Sequence, residues 1–155
     1  MCINRQCVRS FFFVFCQFTA RTVCLSNKLT VIMPELFVRT NLAKEDLPQN
    51  IHEELTTLLS NLLKKPEKFV VVTIIPDVWM SFGGTSEPCA TARLSSISQF
   101  EDAETNRKYA EVILKYFYDK LSISEERMYL EFYKQERQNV GYKADTFLFL
   151  LKSSK

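Results

Sequence analysis

Acidic residues are absent from the first 33 positions of this 155-residue chain, and cysteines are nearly absent from the remainder. Cys89 stands alone after Met33, so residues 34–155 hold neither a disulfide pair nor the clustered thiolates of a zinc site. No apolar run reaches the roughly 18 residues of a membrane-spanning helix, so no membrane insertion is expected. A basic stripe is also missing. Residues 34–155 carry 16 basic and 18 acidic residues, a formal charge of −2. The net +2 of the whole chain therefore comes from its first 33 residues, and no nucleic-acid partner is expected. Gly83-Gly84 is the one glycine pair, and no Gly-Lys-Ser/Thr follows it to make a phosphate-binding loop. It reads as a turn.

These contrasts divide the chain at Met33-Pro34. Residues 1–33 hold Cys2, Cys7, Cys16 and Cys24 with four basic residues. Three readings of this leader stand. Arg5 and Arg9 before the apolar residues 11–16 imitate a secretory signal, although the bulky Phe18 makes Phe18-Thr19-Ala20 a poor cleavage site. The acid-free, Arg- and Ser-containing composition also resembles a transit peptide. Alternatively Met33 is the working start and the leader is upstream sequence; a structural arm completes the options. An acid-free arm rich in Phe and Cys has no matching partner, so residues 1–33 are expected to be poorly ordered or absent from the mature protein. Residues 34–155 are expected to form one domain, long enough to bury roughly two-thirds of its surface. If that domain begins at Pro34, its first group is a rigid secondary amine, a base; inside a chain the same nitrogen is a non-basic tertiary amide.

Within the domain, Leu36-Phe37-Val38-Arg39-Thr40-Asn41 reads as a strand. Asp46 offers a helix N-cap and Pro48 a first-turn proline. Ile51, Leu55, Leu58, Leu59 and Leu62 form an apolar helical stripe, and Pro66 stops the helix after Lys64-Lys65. Val70-Val71-Val72-Thr73-Ile74-Ile75 reads as a strand buried on both faces. After a turn-rich loop the pattern repeats. Ala92-Arg93-Leu94-Ser95-Ser96-Ile97 is a strand, Tyr109 to Leu121 a helical stripe, and Arg127-Met128-Tyr129-Leu130-Glu131-Phe132-Tyr133 an alternating strand. At least one short strand is expected between Val140 and Leu151. The fold class predicted is α/β (α+β): two βαβ repeats in a four-stranded mixed sheet with both helices on one face. The other face is left bare, and its natural cover is another copy of the chain.

The motifs then point to a family. Met33-Pro34, Lys65-Pro66, Pro76-Asp77 and Phe82-Gly83-Gly84-Thr85-Ser86-Glu87-Pro88-Cys89-Ala90 occur in order, followed by Leu94-x-Ser96-Ile97, Asn106-Arg107, Ile123-Ser124-x-x-Arg127-x-Tyr129 and Asn139-Val140-Gly141. This series closely resembles the macrophage migration inhibitory factor family, which includes D-dopachrome tautomerase. The resemblance spans nearly all of residues 34–147, with one inserted residue near positions 100–105; the leader has no counterpart.

The resemblance implies a tautomerase-like fold, a homotrimer with sites at subunit interfaces, and keto–enol tautomerisation of an aromatic α-keto acid such as phenylpyruvate. It also implies isomerisation of dopachrome-like small molecules, with no cofactor. In secreted members it implies cytokine signalling through a cell-surface receptor, with export by a non-classical route and/or a cytoplasmic location. Pro34 resembles the catalytic base. Lys65 resembles the cation that holds the substrate carboxylate, and the backbone of Ile97 a second contact there. Tyr129 resembles the tyrosine contributed by a neighbouring subunit. Val140 and Phe147 resemble apolar walls, and Phe69 and Tyr142 replace the usual tyrosine and tryptophan. Two residues depart from the pattern. Glu35 replaces an apolar residue, and Glu131 stands where a site-lining asparagine is usual. Alternation puts Glu131 on one face with Tyr129, where a carboxylate would stabilise protonated Pro34, or compete for Lys65, and so weaken the base.

Simpler roles compete with each assignment. Lys65 also suits a helix C-terminus, Pro34 an edge strand, Tyr129 ordinary packing, and Cys89 a small buried hydrophobe. His52 beside Glu53 and Glu54 reads as solvated. Lys44 and Asp77 stand where family members engage receptors, but also fit surface and turn roles. The functional alternatives are an enzyme, a secreted cytokine-like ligand with an incidental pocket, and a long form whose leader silences Pro34.

Overall fold

The computed structural model describes residues 33–152, so the expectations for the leader up to residue 32 lie outside the described residues. Strand β1 (Glu35–Thr40) is followed by helix α1 (Ile51–Leu63) and strand β2 (Val71–Ile75). Strand β3 (Ala90–Ile97), helix α2 (Ala103–Leu121) and strand β4 (Met128–Gln135) repeat that unit. The tail adds a two-stranded ribbon of β5 (Gly141–Tyr142) and β6 (Asp145–Thr146), then a single helical turn, α3 (Phe147–Leu150). The main sheet has the order β2-β1-β3-β4. Its outer pairs are parallel and the central β1/β3 pair is antiparallel, as two βαβ units joined at their first strands require.

Both helices cover one face. Leu36 and Val38 of β1, Ala90, Ala92 and Leu94 of β3, and Met128 of β4 meet Ile51, Leu55, Leu59 and Leu63 of α1. Ile113, Phe117 and Leu121 of α2 complete this core. The α1 residues recur at every fourth position, so they share one side of the helix. Phe117 is completely buried. Replacing it with Ala should lower the unfolding free energy by about 3–5 kcal/mol, read from the denaturant midpoint.

Two local expectations are corrected. Helix α1 begins at Ile51, whereas Asp46 lies in a separate 3-10 turn, Lys44–Asp46. Leu47 is extended at φ −87°, ψ 133°, because a residue before proline is driven out of the helical region. Strand β2 is not buried on both faces. It lies at the sheet edge, and Val71 and Ile75 are exposed on the side away from the helices. Continuous β-branching thus reports strand propensity here and not double coverage. The open face also carries Phe37, Arg39, Arg93, Tyr129, Glu131 and Tyr133, since residues paired across the sheet share a face.

Candidate active site

The candidate site forms where the chain enters β1. Pro34 is buried, and its carbonyl accepts a hydrogen bond from Val71 N–H at 2.9 Å, tying it to the start of β2. Behind it Ile97, at the end of β3, and Phe147 are fully buried, with Met33 and Val140 packed against them. Phe147 is held by its own N–H, which donates to the Val140 carbonyl at 3.1 Å. The tail ribbon supplies the aromatic wall. Tyr142 stacks on Phe147 with ring centroids 5.6 Å apart and nearly parallel planes, and meets Phe69 edge-on at 6.3 Å. Each aromatic is thereby fixed by a neighbour, leaving an apolar crevice with defined walls.

Lys65 sits in the turn from α1 to β2. Lys64 adopts a left-handed conformation (φ 55°) that ends the helix, and Lys65 N–H returns to the Ser60 carbonyl at 3.0 Å. The Ser60 hydroxyl in turn donates to the Lys65 carbonyl. Pro66 then leads through the 3-10 turn Glu67–Phe69 into β2, beside Pro34. Although lysine is nearly always solvated, only 8% of Lys65 is exposed. It makes no ion pair among the described residues, and burial pulls its pKa below the ordinary lysine value. A lysine whose stem is packed away, with no ion-pair partner among the described residues and an aromatic wall nearby, is a ready partner for an anionic ligand group.

Tyr129 and Glu131 lie elsewhere. Tyr129 pairs with Thr91 and is six residues from the Ile97 end of the sheet, about 20 Å at ~3.3 Å per residue. It is 66% exposed and packs against Phe82 with centroids 4.9 Å apart. Glu131 pairs with Arg93, whose Nε lies 3.6 Å from the carboxylate. Within one chain, Pro34, Lys65, Phe69, Ile97, Val140, Tyr142 and Phe147 share one end of the molecule, and Tyr129 and Glu131 stand apart on the open face.

The remaining candidates take structural positions. Ser95 Oγ donates to the Glu35 carboxylate at 3.5 Å. The Asp77 carboxylate accepts from Lys44 N–H at 3.3 Å, and Asp77 N–H donates to the Leu42 carbonyl, so both residues pin a loop. Cys89 is completely buried and His52 exposed. Two arginines have roles that the sequence does not reveal. Arg127 donates to the carbonyls of Phe82, Thr85, Glu87 and Pro88, which explains why a turn-rich loop holds one shape. Arg93 drew no notice because only strand register places it beside Glu131.

Comparison with known proteins agrees with this architecture. A family model described as macrophage migration inhibitory factor matches residues 33–148. The macrophage migration inhibitory factor of Rattus norvegicus is 36% identical over 115 residues, covering 74% of this chain and 99% of that protein. The D-dopachrome decarboxylase of Mus musculus is 31% identical over 118 residues, covering 76% and 100%. The solved structure of the macrophage migration inhibitory factor from Trichinella spiralis aligns with a TM-score of 0.69 at 29% identity, covering 73% of this chain and 99% of that one. About three-quarters of this chain thus accounts for these relatives almost end to end, and in the solved Trichinella spiralis structure the matched segment is nearly the whole chain. With the fold, the family model and relatives above 30% identity in agreement, the chain belongs to the macrophage migration inhibitory factor family.

Proposed function

We infer that residues 34–155 act as a cofactor-independent tautomerase once Pro34 is the free N-terminus. The substrate is an enolisable aromatic α-keto acid of the phenylpyruvate type, or a dopachrome-like molecule. The observation that carries this reading is Lys65: a lysine largely buried with no ion-pair partner among the described residues, at the same end of the sheet as Pro34 and the aromatic wall. Lys65 would hold the substrate carboxylate, while Phe69, Val140, Tyr142 and Phe147 take the aromatic ring. The Pro34 amine, neutral near pH 7, would remove a proton alpha to the carbonyl and return one to the other end of the enol system. An unperturbed α-amino group titrates near ~8, and burial beside a cation lowers this further.

The distance of Tyr129 and Glu131 from the crevice supports assembly as a trimer, in which a neighbouring copy supplies both. Purified residues 34–155 should sediment as a trimer and interconvert the keto and enol forms of phenylpyruvate. Absence of turnover would overturn the enzymatic reading, and full turnover by a monomer would overturn the shared site.

A second reading has one observation in its favour. Trp79 is fully exposed on the loop between β2 and β3, a large aromatic of the kind that anchors protein interfaces. On this reading the chain is a secreted cytokine-like ligand for a cell-surface receptor, and the crevice is incidental. Pro34→Gly separates the two: receptor-directed activity that survives the loss of turnover assigns signalling to the surface and not to the chemistry.

A further inference from the structure

Glu131 raises a difficulty for the proposed reaction, because a carboxylate aimed at the neighbouring crevice would hold the Pro34 amine protonated. The open face of the sheet supplies the answer. Arg93 and Glu131 are direct partners in the parallel β3/β4 pair and point to the same side, so their proximity follows from register and not from a flexible loop. The guanidinium Nε is 3.6 Å from the carboxylate, and the guanidinium carbon lies over the Tyr133 ring, 4.5 Å from its centroid. Tyr133 is two residues beyond Glu131 on the same strand, so it holds the arginine plane from one side while the carboxylate engages it from the other. Arg93 and Glu131 border a depression of about 430 Å³ lined also by Phe37, Arg39, Thr91 and Tyr129.

We propose that Arg93 is a positioning residue that neutralises Glu131, so that the site can carry a carboxylate there without losing its base. The proposal rests on the reading that Pro34 is the base and that a neighbouring copy contributes Tyr129 and Glu131. Both members of the pair are 56% exposed in a single chain, where such a pair contributes little to stability. Its consequence is therefore expected in the titration of the amine and not in folding. The other charged or titratable groups on this face are Glu35 and Arg39 of β1 and Tyr129 and Tyr133 of β4; Lys65 and Tyr142 face the crevice. Of these, Arg93 alone is placed against the Glu131 carboxylate.

The sign is definite. Without Arg93, the unpaired carboxylate favours the protonated amine and raises its pKa. In residues 34–155 with isotope-labelled proline, the Pro34 titration followed by NMR should move up by about 0.5–1 pH unit in Arg93→Met. The acid limb of kcat/KM should move with it. Arg93→Lys should hold the titration near that of the parent chain. Glu131→Asn alone leaves Arg93 an unpaired cation and should move the titration down, and the double variant Arg93→Met/Glu131→Asn, which removes both charges, should return it close to the parent. An unmoved titration in Arg93→Met, or a double variant that titrates as high as Arg93→Met alone, overturns the proposal. If the amine titration responds as expected but no variant turns over phenylpyruvate, the positioning role stands and the proposed reaction fails.

Discussion

A chain beginning at Pro34 should turn over phenylpyruvate about 10²–10⁴ times faster than the chain beginning at Met1, the range ascribed to a positioned general base. With Met33 attached, the proline nitrogen shares its electron pair with a carbonyl and cannot accept a proton. Removing residues 1–33 converts it to a secondary amine and takes Met33 off Ile97 and Phe147, while Ile97, Phe147 and Val140 stay in place. The ring fixes the direction of the lone pair, and the wall of Ile97, Phe147 and Val140 restricts water around it. Both chains should bind an enol analogue, because Lys65 and the aromatic wall are common to them. Equal turnover by the two forms would remove the free Pro34 amine from the mechanism.

Lys65→Met should make the protein more stable and much less active. Folding takes most of the Lys65 side chain out of water, and among the described residues no carboxylate balances its charge, a cost that a methionine of similar length avoids. The substitution should raise the unfolding free energy by about 1–2 kcal/mol, visible as a higher Tm. Loss of the charged contact to the substrate carboxylate should lower kcat/KM by about 30- to 150-fold, equivalent to roughly 2–3 kcal/mol. The pH dependence carries a further signature. Burial lowers the folded-state pKa of Lys65 below its ordinary 10.5, so the unfolded chain binds more protons at this site. The penalty is fully present below the lowered value, shrinks as pH rises through it, and is gone above 10.5. Stability of the parent chain should thus rise across that window relative to Lys65→Met, whose curve lacks this slope. A Lys65→Met chain that melts lower and retains activity would show that the lysine merely completes the helix terminus.

Much of this arrangement is legible in the order of residues, because its causes are local. The stripe Ile51, Leu55, Leu59 and the β-branched run into Ile75 announce their elements by periodicity, and the left-handed Lys64 before Lys65-Pro66 ends α1 where the proline demands it. The start of α1 misled because Asp46 has the chemistry of a cap. Pro48 forces Leu47 to be extended, and this breaks the path from that cap to the helix.

What the sequence by itself determined about this protein is its family and its repeated strand–helix–strand plan, since both are carried by the order and spacing of residues along the chain. Tertiary structure alone decided that β2 is an edge, that Lys65 is largely buried with no ion-pair partner among the described residues, that Tyr129 stands away from Pro34, and that Arg93 pairs with Glu131. Those outcomes depend on lateral register and on which face the helices cover. Register brings together residues dozens of positions apart, and no pattern among near neighbours records which of them will meet.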